Sequence, residues 1–172
     1  MKQFLVIIAK CVAAAVTYGI IHDQVTVRIC LEYFTVLHPH IIDSTNPTII
    51  ALVWGVVATW WVGLPLGVLV AVASRLGKSN RLEPRQLVIP LLVLLGVVGL
   101  CAVAGAMVAP SVAPPWEQTE MRVEITPEQY PAIVVCAGAH TASYASGVLG
   151  GLGLVACVIV TRRRQSRASA SQ

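Results

Sequence analysis

Four long apolar runs constrain this chain more than anything else in it: residues 4–21, 49–73, 87–109 and 132–160. Crossing a hydrocarbon core of about 30 Å takes roughly 20 helical residues, and each run is long enough. Membrane-spanning strands would instead alternate apolar and polar positions over about ten residues. These runs are continuously apolar, so helices are the spanning element they fit. Composition agrees, with 56% hydrophobic and 12% charged residues against about 25% charged in soluble domains. The expected fold is all-α: an integral membrane four-helix bundle forming a single transmembrane domain over residues 1–172.

Lysine and arginine give the expected orientation. Ten of the twelve fall on one side: Lys2, Lys10, Arg75, Lys78, Arg81, Arg85, Arg162, Arg163, Arg164 and Arg167. Only Arg28 and Arg122 fall on the other. Such an excess marks the cytoplasmic side. Both termini are therefore expected in the cytoplasm, with residues 22–46 and 110–131 facing outward. Seven of the eight acidic residues (all but Glu83) and the four histidines lie at or near the outward side. The basic loops read as topology signals, with lipid-headgroup contact as a second reading. The first run resembles a secretory signal, but Lys10 interrupts it, so it reads as a retained span.

Lys10 also sets the register of that span. A helix centred on residues 4–21 would bury the ammonium in hydrocarbon. If Lys10 snorkels to the interface instead, the span reaches Cys30 and places His22, Asp23 and Arg28 inside the outer leaflet. The expected spans are then about 4–30, 49–73, 87–109 and 132–160, with a cytoplasmic tail at 161–172. The first helix is expected to continue to about Thr35, before His38-Pro39-His40 and the run 43–47 turn the chain. Trp54 suits an interfacial belt, and Gly63, Pro65 and Gly67 predict a kink. Gly96, Gly99 and Gly105 allow close helix approach in the third span. In the fourth, Ser143, Gly147 and Gly151 recur every fourth residue, a small-residue ridge on which a partner helix can pack. The proline-rich 110–131 segment reads as an ordered cap or a short interfacial helix.

The polar segment 22–38, HDQVTVRICLEYFTVLH, carries the candidate chemistry. At about 100° per residue, His22, Thr26 and Tyr33 share one helix face, while Gln24, Arg28, Glu32 and Thr35 share another. Arg28 and Glu32 have the i, i+4 spacing of a same-face ion pair. His140 enters from the fourth span at a similar depth, with Tyr144 one turn away on the same face. Imidazole and carboxylate together suit zinc, iron or manganese. The metal ligands expected are His22, Asp23, Glu32 and His140, with His38 as a further candidate. Arg28 and Tyr144 are candidates for orienting a ligand, holding an anionic substrate or donating a proton. There is no HExxH and no Glu-x-x-His, so a hydrogen-bonded docking network is the competing reading. His38 and His40, flanking a proline, read equally as turn residues. Of the five cysteines, Cys30 and Cys136 share the outer half and could pair. No Gly-rich phosphate loop, nucleophile elbow or nucleic-acid signature occurs, so no nucleic-acid partner is expected.

The stretch YGIIHDQVTVRICLEYFTVLHP, followed far downstream by AHTASYASGVLGGL, resembles a family of small bacterial integral membrane proteins with four predicted helices. The shared positions are His22, Asp23, Gln24, Thr26, Arg28, Glu32, Tyr33, Phe34, Thr35 and His38, then His140, Ser143, Tyr144 and Gly147. The resemblance implies a multi-pass protein of the bacterial inner membrane and carries no reaction with it. Three functions follow as expectations. The first is a metal-binding membrane protein, or enzyme, with its site at the outer leaflet. The second is a non-catalytic assembly or accessory subunit. The third, weakest, is a small transporter.

Overall fold

The computed structural model describes residues 1–77, 81–120 and 124–170. Lys78 and Arg122 lie outside the described residues. Six α-helices follow in order: α1 (Lys2–Ile29), α2 (Glu32–Thr35), α3 (Pro47–Val57), α4 (Trp60–Arg75), α5 (Val88–Val112) and α6 (Tyr130–Ala170). Short 3₁₀ turns occupy Pro84–Leu87 and Trp116–Gln118, and no strand occurs among the described residues. Four helical stretches are long and apolar enough to cross a membrane: Lys2–Ile29, Pro47–Arg75, Pro84–Val112 and Tyr130–Ser169. Their outward faces carry large apolar side chains, such as Leu92, Leu100, Met107 and Leu149, which are 62–75% exposed. A protein in water rarely leaves so much contiguous apolar surface uncovered.

The first span ends where expected, at Ile29, but the helix does not continue to Thr35 as its pattern predicts. Cys30 is extended (φ −150°, ψ 105°), and its N–H closes the last turn on Thr26 O. The chain then folds back through α2, so residues 30–38 do not extend α1. The second span starts at Pro47, where proline has no N–H to waste, and the Asn46 side chain accepts from Thr48 N and Ile49 N. It breaks at Ala58–Thr59 rather than at the Gly63–Gly67 stretch itself. Pro65 lies inside α4 without ending it, although its ring meets the carbonyl four residues earlier, at Trp61, and offers it no N–H. The Thr59 hydroxyl also takes Gly55 O, competing with the backbone ladder.

Packing is by antiparallel pairs. Gly55 of α3 lies against the Gly19–Ile20 backbone of α1, and further along Gly63 and Gly67 of α4 meet Val12 and Ile8. Gly105 of α5 and Gly138 of α6 meet backbone to backbone. Between lipid-facing helices there is little hydrophobic drive, and small residues let dispersion and close approach replace it. The expected ridge on α6 behaves differently. Ser143 bonds Tyr18 and Gly151 faces the Leu66 side chain, while Gly147 has open space where a Cβ would stand. Gly96 likewise touches nothing, and Gly99 meets only Tyr18.

The main apolar core joins Ile7, Cys11, Val70, Leu87, Leu91, Leu154 and Val158 near the chain termini. Two smaller clusters close the opposite end, one around Val27, Phe34, Ile50 and Ala51, the other around Cys30, Ile125, Ile133 and Cys136. The described residues of the 110–131 segment form an ordered cap. Ile125 is buried, Trp116 packs on Tyr130, and Tyr130 Oη donates to Pro114 O at 2.7 Å. Beyond residue 160 the helix continues to Ala170 instead of loosening into a tail.

One of the tail arginines has a structural task. Arg162 is only 5% exposed and donates to Ala73 O and Leu76 O, satisfying carbonyls that the end of α4 leaves unpaired. Arg162→Met keeps the stem but strands those carbonyls. Hydrogen bonds from a charged donor are worth about 1.5–3 kcal/mol each, so its thermal midpoint in detergent should fall by several degrees. The exposed neighbour Arg163→Met serves as the control and should not move it.

Candidate functional site

His22 and Asp23 lie on α1 seven and six residues before its end, and His140 lies ten residues into α6. At 1.5 Å per residue these positions are roughly 10–15 Å inside the helix ends. One ring nitrogen from each histidine and one Asp23 oxygen lie within 4.8 Å of one another. The His22 and His140 rings meet edge to face, with centroids 4.5 Å apart. Asp23 is 3% exposed.

The hydrogen bonds decide what this group can do. His140 Nδ1 lies 2.8 Å from Cys136 O. A carbonyl only accepts, so Nδ1 must carry the proton. In a neutral ring that leaves Nε2 as an acceptor, and it lies 3.2 Å from Asp23 Oδ1. An ionised carboxylate also only accepts. Two acceptors at that distance need a proton or a cation between them. A histidine held through its far nitrogen by a backbone carbonyl is the usual support of a metal-binding imidazole. The remaining partner is His22, whose Nε2 is buried and has no hydrogen-bond partner. Among the described residues, only Ser74 Oγ shares that condition.

Further contacts hold the group in place. Tyr18 stacks on His22 at 5.6 Å, and its hydroxyl pairs with Ser143 Oγ at 2.7 Å. Cys136 Sγ donates to Thr26 O. These links tie α1 to α6 beside the site. Tyr33 and Phe34, brought back by α2, cover His140 with ring centroids at 4.7 and 5.8 Å. Burial pushes the Tyr33 hydroxyl up to about 12, so this lid stays a neutral phenol. Tyr144 Oη donates to Ala58 O at 3.1 Å, a carbonyl freed by the break between α3 and α4. Non-helical backbone at this depth is tolerated where it lines a cavity, and Ala58 lines two. One, of about 300 Å³, is walled by Asp23, Tyr33, His38, Trp54, Trp61, His140 and Tyr144. The other, of about 90 Å³, runs from His22, Asp23 and His140 down to Leu94 and Val98.

No family model, curated protein or solved structure matches the chain. Function therefore has to be argued from the site itself.

Of the residues singled out from sequence, the structure brings His22, Asp23 and His140 together and leaves Glu32 out of the group. Glu32 accepts from Gln129 Nε2 at 3.2 Å and from the Cys30 thiol, which anchors α2 to the 124–130 turn. Its own backbone N–H, then these two donors, hold its carboxyl below the usual range. That anchoring is present above the ordinary carboxylate range and is lost as pH falls through the lowered value. The expected Arg28–Glu32 pair does not form, because the chain leaves helix between them. Arg28 instead donates to Gln24 and to Thr48 Oγ1 at 2.8 Å, docking α1 on the start of α3. His38 lines the larger cavity, with Nδ1 2.6 Å from Tyr33 O, and His40 is exposed. Cys30 and Cys136 are buried free thiols in one cluster. Tyr18 was missed by sequence reasoning, although its i, i+4 spacing from His22 places it on the same face.

Proposed function

We propose that this is a multi-pass membrane protein whose His22, Asp23 and His140 bind one divalent metal, zinc, iron or manganese, near one face of the bilayer. One observation carries the reading: His22, whose buried Nε2 has no partner, brings a ring nitrogen within 4.8 Å of two acceptors that need a proton or a cation between them. A proton between His140 and Asp23 would satisfy those two and leave His22 orphaned. A metal employs all three. Tetrahedral bonds of about 2.0–2.2 Å would draw the ligand atoms to roughly 3.5 Å apart, so a closing movement of about 1 Å completes the set. Three protein ligands leave a fourth position open, which is the arrangement of a catalytic rather than a structural site, and two of the three, Asp23 and His140, line the 300 Å³ cavity. Tyr144 lines that cavity with its hydroxyl donating to Ala58 O.

The charge distribution supports both termini being cytoplasmic and the centre lying toward the outer leaflet, and the resemblance to small bacterial membrane proteins supports a bacterial inner membrane. A docking-network reading has one observation in its favour. The His140–Asp23, Tyr18–Ser143 and Cys136–Thr26 links already join α1 to α6 without a metal.

Elemental analysis of detergent-purified protein separates the two. The metal reading expects roughly one equivalent per chain, with absorption spectroscopy showing nitrogen and oxygen neighbours at about 2.0–2.2 Å. Purified protein that stays metal-free after incubation with zinc, iron(II) and manganese would refute it.

A further inference from the structure

We propose that the ligand of this centre is a phospholipid, its phosphodiester reaching the metal while one acyl chain lies in a groove between α4 and α6. The acyl-chain part stands on the cavities alone; the placement of the head rests on the metal reading.

The groove, about 440 Å³, is walled by Trp61, Pro65 and Leu69 of α4 and by Val148 and Leu152 of α6. Its upper end shares walls with the two cavities at the site. Trp61 and Tyr144 line both the groove and the polar cavity that holds Asp23 and His140. Gly147 lines the groove and the inner cavity that reaches His22. A Cβ at Gly147 would meet nothing within 4 Å. Where groove and inner cavity adjoin at Gly147, no side chain stands between them. From Trp61 to Leu69, and from Tyr144 to Leu152, is eight residue steps, about 12 Å of helix. That is a chain-shaped slot ending at a polar site, on helices apolar enough to sit in a bilayer. A water-soluble substrate has no use for the slot, whereas a lipid enters it sideways. Charge favours the phosphodiester over a cationic head. A dication held by one carboxylate and two neutral imidazoles leaves the centre at net +1, complementary to one phosphate charge.

The test uses the full chain in vesicles of phosphatidylethanolamine and phosphatidylglycerol, doped with a phospholipid carrying a diazirine on one acyl chain. After irradiation, Leu69, Val148 and Leu152 should be labelled about tenfold more than the lipid-facing α5 residues Leu92, Leu100 and Met107, the ratio given by 1.4 kcal/mol of preference. Gly147→Leu should fold, keep its metal and reduce groove labelling to the α5 level. Equal labelling of groove and α5 in the native chain overturns the proposal, whatever the variant does. Groove labelling undiminished after a chelator has stripped the metal overturns the placement of the head. Metal-free protein that still labels the groove refutes the metal reading and supports the acyl-chain slot.

Discussion

The double variant His22→Ala, His140→Ala loses the metal, retaining less than about a tenth of the native content, a deficit of at least 1.4 kcal/mol in binding. Two of three ligands are gone, and a lone buried carboxylate cannot hold a borderline cation against water. The fold should survive, because neither ring belongs to an apolar core cluster. The Tyr18–Ser143 and Cys136–Thr26 links between α1 and α6 also remain. Either reading leaves Asp23 buried beside no cationic partner in the variant, and stranding one member of a buried ion pair costs about 3–5 kcal/mol, or roughly 10 °C in thermal midpoint for a chain of this size. A docking network differs in predicting that the native chain holds no metal. Metal content, measured on the two preparations, therefore separates the readings even though both invoke the same residues.

The part of the site legible in sequence was the part carried by continuous helix. His22 and Asp23 sit seven and six residues before the end of α1, and His140 sits ten residues into α6. Helical arithmetic suffices for those three. It fails at Glu32 and Arg28, because both assignments assumed that helix ran on to Thr35. Cys30 turns extended, and no local signal marks it: no proline or glycine intervenes between residues 22 and 38. What bends the chain there is tertiary, since Phe34 joins Val27 and Ile50 in one cluster and Cys30 joins Ile133 and Cys136 in another. The break before Trp60 was also displaced from its expected place. Pro65 announces distortion, but it lies inside α4 without ending it, and the ladder opens at Thr59, whose hydroxyl takes Gly55 O. Arg162 was read as one charge among several in a tail. Only the meeting of α4's last turn with α6 reveals it as a cap.

Gly55→Ala should be among the most damaging single methyl groups that can be added to this protein. Its Cβ would sit 2.5 Å from both Ile20 N and Ile20 Cα and 2.8 Å from Gly19 C. All three are backbone atoms, so no side chain can swing away, and α1 must move off α3 as a body. Overpacking of this kind costs about 1–3 kcal/mol, which predicts a fall of roughly 5–10 °C in the thermal midpoint in detergent. Gly96→Ala makes the same chemical change on α5 with nothing within 4 Å. There the helix gains up to about 1 kcal/mol from replacing glycine, so its midpoint should stay or rise. Equal melting of the two variants would dismiss the close α1–α3 contact. The consequence reaches the metal as well. Ile20 is two residues before His22, so displacing α1 carries His22 and Asp23 away from His140, which is held separately on α6. Closing the ligand set already needs about 1 Å of movement, and a displacement of similar size in the wrong direction should cut metal content in Gly55→Ala. Gly96→Ala should keep it, since α5 contributes no ligand.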